Sequence, residues 1–196
     1  MVKPDGGSRG LTGILQPSTG TMMNHEHIPR AEAETGDVAE RAASACERMT
    51  DAESGFNSLR AKRSFRKDEV ITPFRAAAIR ATPTYLTVQV DDGAHVELWP
   101  PQLQYTNHSC RPNCFFDTQS FELVALRDIE AGDELTFFYP STEWHMQQSF
   151  ACACGAEECV GSVSGADSMP ADLLSRYRLS PFIRKSLGER SIGLPA

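Results

Sequence analysis

The sequence predicts a mainly β domain, preceded by a poorly ordered extension and closed by short C-terminal helices, with a metal knot near its C-terminal end. Three observations carry this. From Gly55 onward, short extended runs alternate with turn chemistry at close spacing, the texture of a β-rich chain. Before Gly55 the sequence is poor in aromatic and β-branched residues and rich in Gly, Ala, Thr and Glu, too little apolar material to repay ordering. Finally, Cys152, Cys154 and Cys159 fall within eight residues that also hold Gly155.

The 196 residues, 40% of them hydrophobic, suffice for one modest core. No run reaches the length of a membrane span, so a soluble protein is expected. A net charge of −7 argues against a binder of phosphate backbones, which presents an excess of Lys and Arg. A basic partner suits that charge, although a solvated surface accounts for it as well. Met1 to Gly20 has no apolar core of the secretory kind, so a reducing compartment, nucleus or cytoplasm, is expected, with free thiols rather than disulfides.

The elements follow in order. Within residues 1–54, expected to be mostly unpacked, one helix is credible: Asp37 can cap with Glu40 three residues on, and Val38, Ala42, Ala45, Cys46 and Met49 share a face. Residues 69–74 read as a strand. Residues 84–90 read as another, with Leu86, Val88 and Val90 alternating against polar neighbours, Asp91-Asp92-Gly93 as a tight reversal, and residues 94–98 returning. Residues 121–126 and 134–139 make two more, joined across 129–133, where Gly132 can take a positive φ. Pro170 and Ser180-Pro181 open two helices and Gly188 is expected to stop the second. Leu173, Leu174, Tyr177, Phe182, Ile183 and Leu187 are expected to cover one side of the sheet as plain core.

The cysteines demand a separate account. A lone free cysteine is often a small buried hydrophobe, which fits Cys46, but the glycine-rich run around Cys152, Cys154 and Cys159 has little apolar surface to bury. Thiolate is the soft ligand zinc prefers, and a closed structural site takes four ligands in a tetrahedron. The tail supplies three. A remote residue must complete the shell, with Cys110 the leading candidate and Cys114 its competitor.

The motifs Gly55-Phe56-Asn57-Ser58-Leu59-Arg60-Ala61, Asn107-His108-Ser109-Cys110-Arg111-Pro112-Asn113, Gly132-Asp133-Glu134-Leu135-Thr136-Phe137-Phe138-Tyr139 and the cysteine run from Cys152 to Gly161, in that order, resemble the SET-domain protein methyltransferases with a post-SET zinc tail, most of all the small stand-alone type. The first motif is weak alone; the other three in succession are specific. The resemblance covers roughly Gly55 to Gly161. It divides the chain into an extension (1–54), a SET domain (55–145), a post-SET zinc segment (146–163) and a helical tail (164–196).

The resemblance implies a β-clip-like fold of small twisted sheets in which the Asn107 and Tyr139 segments cross as in a pseudoknot. It implies S-adenosylmethionine on one face, held by Gly55, Phe56, Asn57, Asn107, His108, Tyr139 and Phe150, and a lysine of a protein, a histone tail among the possibilities, entering by a channel from the other. Tyr139 and Phe137 become the catalytic pair: the Tyr139 hydroxyl positions the amine, and phenylalanine at 137 leaves room for a second or third methyl. Zinc is structural, and the resemblance takes Cys110 as the ligand joining Cys152, Cys154 and Cys159. Trp144 is a weaker match to the adenine-stacking role of Phe150, and His25, His27, His95 and His145 have no identifiable partner. Neither nucleic acid nor membrane is expected as a partner. Asn57 stands where the family has a second glycine, and asparagine is the residue that best tolerates the left-handed backbone glycine would take. Together with the short stretch between the first two motifs, it motivates two alternatives: a SET-like binding module without catalysis, or a SET-fold enzyme acting on a small molecule.

Overall fold

The computed structural model describes residues 25–31 and 35–192. Within them, twelve short strands form five small sheets, and helix is confined to the two ends and a few single turns. The expectations placed on Met1 to Gly20 lie outside the described residues.

Helix α1 (Thr35–Ala45) runs straight into strand β1 (Cys46–Thr50), which pairs antiparallel with β2 (Asn57–Ala61). For the described part of the extension, this corrects the expectation that most of it does not pack. Val38, Ala42 and Ala45 are buried on the helix face read from the sequence, Ile28 is buried ahead of it, and α1 packs against β3 (Val70–Pro73). Sparse as they are, these apolar positions repeat at the helical period and fill one side of the core. Asp37 lies inside the first turn rather than at the cap, and Cys46 and Met49 belong to β1, with Met49 exposed.

Between β1 and β2 the reversal is built locally. Asp51 Oδ1 accepts from the Ser54 N–H at 2.8 Å and the Glu53 N–H at 3.2 Å, and Gly55, at φ +71°, donates to the Asp51 carbonyl at 2.9 Å. Gly55 is the residue that takes the left-handed conformation; Asn57, expected to need it, opens β2 in register with Thr50.

Strands β4 (Arg75–Arg80), β6 (Ala94–Trp99) and β5 (Thr87–Asp91) make one sheet in the order β4-β6-β5, with the β5–β6 hairpin turning at Gly93, φ +59°. Val88 to Val90 are all buried rather than alternating, because the chain after Tyr139 covers the outer edge: Gln89 Oε1 accepts the Trp144 N–H at 2.9 Å. A second sheet orders β3, β9 (Glu122–Ala125) and β8 (Cys114–Asp117).

The crossing implied by the resemblance is present. Strands β7 (Asn107–His108) and β10 (Thr136–Phe137) pair in parallel, Asn107 opposite Thr136 and His108 opposite Phe137. The segment leading into β10 bonds β2 on its other side, Leu135 donating to the Leu59 carbonyl at 2.7 Å. Asn113 locks the arrangement: its Nδ2 donates to the Glu134 carbonyl and its Oδ1 accepts from the Thr136 N–H, both at 2.8 Å. The strand expected over 134–139 is only two residues long, since Pro140, without an N–H, turns the chain into a single 3-10 turn at Tyr139–Ser141.

After β11 (Phe150–Ala151) and its partner β12 (Ser162–Val163) come α2 (Ala171–Leu174) and α3 (Pro181–Ile192). Gly188 does not end α3, contrary to expectation. A mid-helix glycine costs only about 1 kcal/mol, and Arg190 beyond it is anchored to the Asp167 carbonyl at 2.7 Å. The apolar residues of this tail do not lie on a sheet; with Phe138, Ala166, Met169 and Leu179 they form their own cluster. Among the described residues no helix is long and apolar enough to cross a membrane.

Candidate active site and thiolate cluster

Cys110 lies in the loop between β7 and β8, and Cys152, Cys154 and Cys159 lie in the loop between β11 and β12; the four Sγ atoms all fall within 4.8 Å of one another. Gly155 and Gly161, at φ +70° and +72°, let that loop fold tightly enough to converge its thiols. Backbone donors turn inward as well, the Val160 N–H to Cys110 Sγ at 3.4 Å and the Gly161 N–H to Cys159 Sγ at 3.5 Å, as thiolates require. Four sulfurs so placed can hold one tetrahedral metal ion.

The competitor is excluded by its place. Cys114 donates its thiol to the Thr136 carbonyl at 3.2 Å inside the core, where burial pushes its pKa far up. Cys46 behaves likewise, pushed up to about 12 by burial.

His108 connects this cluster to the candidate active site. Its Nε2 lies 3.3 Å from Cys110 Sγ and its Nδ1 accepts the Tyr139 N–H at 3.3 Å. Burial drops its pKa to about 4, leaving a neutral ring that holds the start of the Tyr139 turn. Around it the aromatic rings gather: Tyr139 at 5.2 Å, Phe138 at 5.6 Å and Phe150 at 5.8 Å, with Phe137 in turn 4.8 Å from Tyr139. The Tyr139 hydroxyl points to the Thr106 carbonyl at 3.4 Å. Burial first, and then the nearby Glu143 charge, push its pKa up to about 12, so the phenol keeps its proton and acts as a donor.

A cavity of about 480 Å³ opens beside Tyr139, walled by apolar side chains that include Leu86, Val88, Leu103, Phe116 and Phe137, with Phe150 at its edge. Gly55, Phe56, Asn57, Asn107 and His108 are not among its walls. Among them, His108 touches Tyr139, and Asn107 Nδ2 donates to the Asn57 carbonyl at 2.9 Å and to Glu134 Oε1 at 2.8 Å. The Asn57 side chain is spent on its own turn, accepting from Arg48 Nε at 2.9 Å and from Thr50 Oγ1 at 2.7 Å. Phe56 is 60% exposed and Phe150 37%. The structure thus links His108, Phe137, Tyr139 and Phe150 by ring contacts, ties Asn107 to Asn57 beside Phe56 and Gly55, and gathers the four cysteines about another point.

Trp144 does not join the Phe150 group but packs into the C-terminal cluster. His145 has a partner, its Nδ1 lying 3.0 Å from Asp167 Oδ2. Tyr177, expected to be plain core, stacks on Phe138 with ring centroids 3.7 Å apart and donates its hydroxyl to the Cys110 carbonyl at 3.0 Å, so the tail steadies the thiolate loop. Sequence reading misses Glu143. It is buried four residues after Tyr139 and accepts from the Gln89 N–H at 2.9 Å and from Thr142 Oγ1 at 3.0 Å. Its Oε2 is also the carboxylate oxygen that faces His95 Nδ1, 3.9 Å away and beyond hydrogen-bond distance.

Residues 57–140 match the SET domain family. Methyltransferase flvH of Aspergillus flavus is 46% identical over 111 residues, 56% of this chain and 62% of that protein. The H3 lysine-36 specific histone-lysine N-methyltransferase of Schizosaccharomyces pombe is 34% identical over 91 residues, 43% of this chain and 11% of that enzyme. The crystal structure of KRYPTONITE in complex with mCHG DNA and SAH matches at a TM-score of 0.47 and 20% identity, over 60% of this chain and 28% of that one. The chain therefore spans less than two thirds of the length of these relatives. Family match, parallel crossing and central cysteine coincide in residues 57–140: this stretch of the chain is similar to the SET domain family.

Proposed function

We propose that the chain is an S-adenosylmethionine-dependent methyltransferase acting on the side-chain amine of a lysine in a protein, histone tails included, with a structural zinc ion on Cys110, Cys152, Cys154 and Cys159. The observation that carries this reading is the position of Tyr139, at the wall of an apolar cavity on one side and against His108 on the other.

The cofactor surface suits an adenosyl group. Phe56 and Phe150 are large aromatic residues left exposed, surfaces a ligand ring can cover. The Asn107 side chain is committed to Asn57 and Glu134, which fixes the β7 backbone as a rigid edge. Gly55, Phe56, Asn57, Asn107, His108 and Phe150 are the residues that would hold it. When bound, the sulfonium supplies an electrophilic methyl group. The zinc shell supports that surface by tying Phe150's loop to β7 through Cys110, and takes no part in transfer.

On the acceptor side the residues act by exclusion and alignment. A lysine amine has an ordinary pKa of about 10.4, so exposing its lone pair at neutral pH costs about 4 to 5 kcal/mol. An apolar cavity lowers that figure, because desolvation disfavours the ammonium form. Tyr139, kept protonated, offers a fixed hydroxyl beside the reacting atoms, and Phe137 closes the wall without a second hydroxyl. Holding the amine on one line replaces orientational entropy the free reaction would lose.

Labelled methyl transfer from S-adenosylmethionine onto a histone mixture, whole-cell protein and a small-molecule extract tests this. Label is expected in protein; label confined to the small-molecule fraction overturns the protein-lysine reading, and failure of the cofactor to bind in titration calorimetry overturns the enzyme reading.

A further inference from the structure

Glu143 has no part in the mechanism above, yet it lines the acceptor cavity together with Tyr139. It stands one turn beyond that residue, its N–H donating to the Tyr139 carbonyl at 3.1 Å, and is 7% exposed. Oε1 takes the bonds from Gln89 and Thr142. Oε2 faces His95 Nδ1, a buried ring atom without a hydrogen-bond partner. His95 in turn lines a second cleft of about 560 Å³, shared with Asp91, Asp92 and His145. Two buried titratable groups therefore stand in line between the cavity and another opening. An amide could serve Gln89 and Thr142 equally well, and burying a carboxyl where an amide would do is costly. The placement calls for a cationic or proton-bearing ligand.

We propose that Glu143 recognises the ammonium group of the acceptor and takes one proton from it, passing that proton through His95 to water in the second cleft. An N–H bond of the ammonium breaks as an O–H bond forms on Glu143, and the nitrogen keeps the electron pair. His95 Nδ1 stands 3.9 Å from Oε2 at rest, so the two side chains must first close to hydrogen-bond distance; the O–H bond then breaks as an N–H bond forms at Nδ1, and the imidazolium releases a proton to solvent. Burial pushes the Glu143 carboxyl up to about 8, close to where a general base works best, and burial lowers His95, so its neutral ring can accept. The groups facing this pair are Tyr139 and, through it, Glu134 on the cavity side, and Asp92 and His145 beside His95. The proton-transfer half rests on the methyltransferase reading; the cation site does not.

The probe is n-butylammonium, with the length and charge of a lysine side chain, titrated into the cofactor-free protein at pH 8.5 and followed by NMR. Glu143→Gln is expected to weaken its binding at least about tenfold, Glu143→Asp by less, while neutral n-butanol binds wild type and Glu143→Gln alike. Unchanged butylammonium affinity, or an equal loss for butanol, overturns the proposal. In methyl transfer, wild-type kcat/KM should rise through about pH 8, and Glu143→Gln should fall roughly 10²-fold at pH 7.5, the deficit shrinking toward pH 10 as the amine sheds its proton unaided. A deficit equal at every pH overturns the proton-transfer half. A butylammonium site that needs Glu143 in a protein that methylates no amine would remove the methyltransferase reading and leave the cation site standing.

Discussion

Cys110 Sγ lies 3.8 Å from Cys152 Sγ and 3.9 Å from Cys159 Sγ, across 42 and 49 residues of chain. Thiolates sharing one tetrahedral zinc at about 2.3 Å stand about 3.8 Å apart. Purified protein is therefore expected to carry about one equivalent of zinc by elemental analysis. Cys110→Ser should lose the metal and expose the loop between Ala151 and Ser162 to proteolysis. Cys114→Ala should keep the metal, because its thiol serves the core. Full zinc retention in Cys110→Ser would remove Cys110 from the shell.

Tyr139→Phe tests the hydroxyl alone. The ring contacts to His108 and Phe137 and the backbone bond to His108 remain, so cofactor affinity and melting temperature should hold. Turnover should fall about 10²-fold, the scale of losing one positioning contact at the reacting atoms. Retained turnover would take Tyr139 out of the reaction.

Phe137 is buried between Phe116, at 4.9 Å, and Tyr139, at 4.8 Å. Phe137→Tyr would add a hydroxyl at the cavity wall, occupying the space a methylated amine needs. Mass spectra of the product should shift from dimethyl and trimethyl toward monomethyl lysine. A wild type that stops at one methyl, or a variant with an unaltered product distribution, would contradict the reading of Phe137.

How much of this was legible in the sequence depends on whether the signal was local. The β5–β6 hairpin was, because Asp91-Asp92-Gly93 and the flanking alternation sit within a dozen residues. The metal shell was legible in three ligands; the fourth lay 42 residues away, where Cys110 led over Cys114 and the family resemblance selected it. The β7–β10 crossing carries no periodic signal, since each strand has two residues and the pairing is set by the Asn113 side chain. Glu143 escaped notice because nothing local distinguishes a buried carboxylate from a solvated one. What buries it is β5, some 54 residues earlier.

Asn113 makes the fold itself testable. It is 3% exposed, and its two 2.8 Å bonds satisfy the Glu134 carbonyl and the Thr136 N–H. Asn113→Ala strands both backbone groups, each worth about 1 to 3 kcal/mol when buried unsatisfied. Denaturant unfolding should show a loss of about 2 to 6 kcal/mol. A loss under about 0.5 kcal/mol, the range of ordinary surface changes, would mean the crossing does not depend on this side chain.

Glu143 gives stability a pH dependence whose sign is fixed by its environment. Burial raises its carboxyl to about 8 from an ordinary value of 4.5, so the folded protein holds a proton the unfolded chain has already released. That contribution is complete below the unfolded value and is lost as pH rises toward 8. His95 works the other way, since burial lowers it from 6.5: its contribution is present above 6.5 and lost as pH falls below. Between pH 6.5 and 8 the two separate, and only the carboxyl is changing. The slope there is at most about 1.4 kcal/mol per pH unit. Wild type should thus lose up to about 2 kcal/mol across that window relative to Glu143→Gln, which has no proton to release. Parallel stability curves for the two proteins from pH 6.5 to 8 would show that the carboxyl titrates as an ordinary one, and that the cavity presents a permanent anion rather than a base.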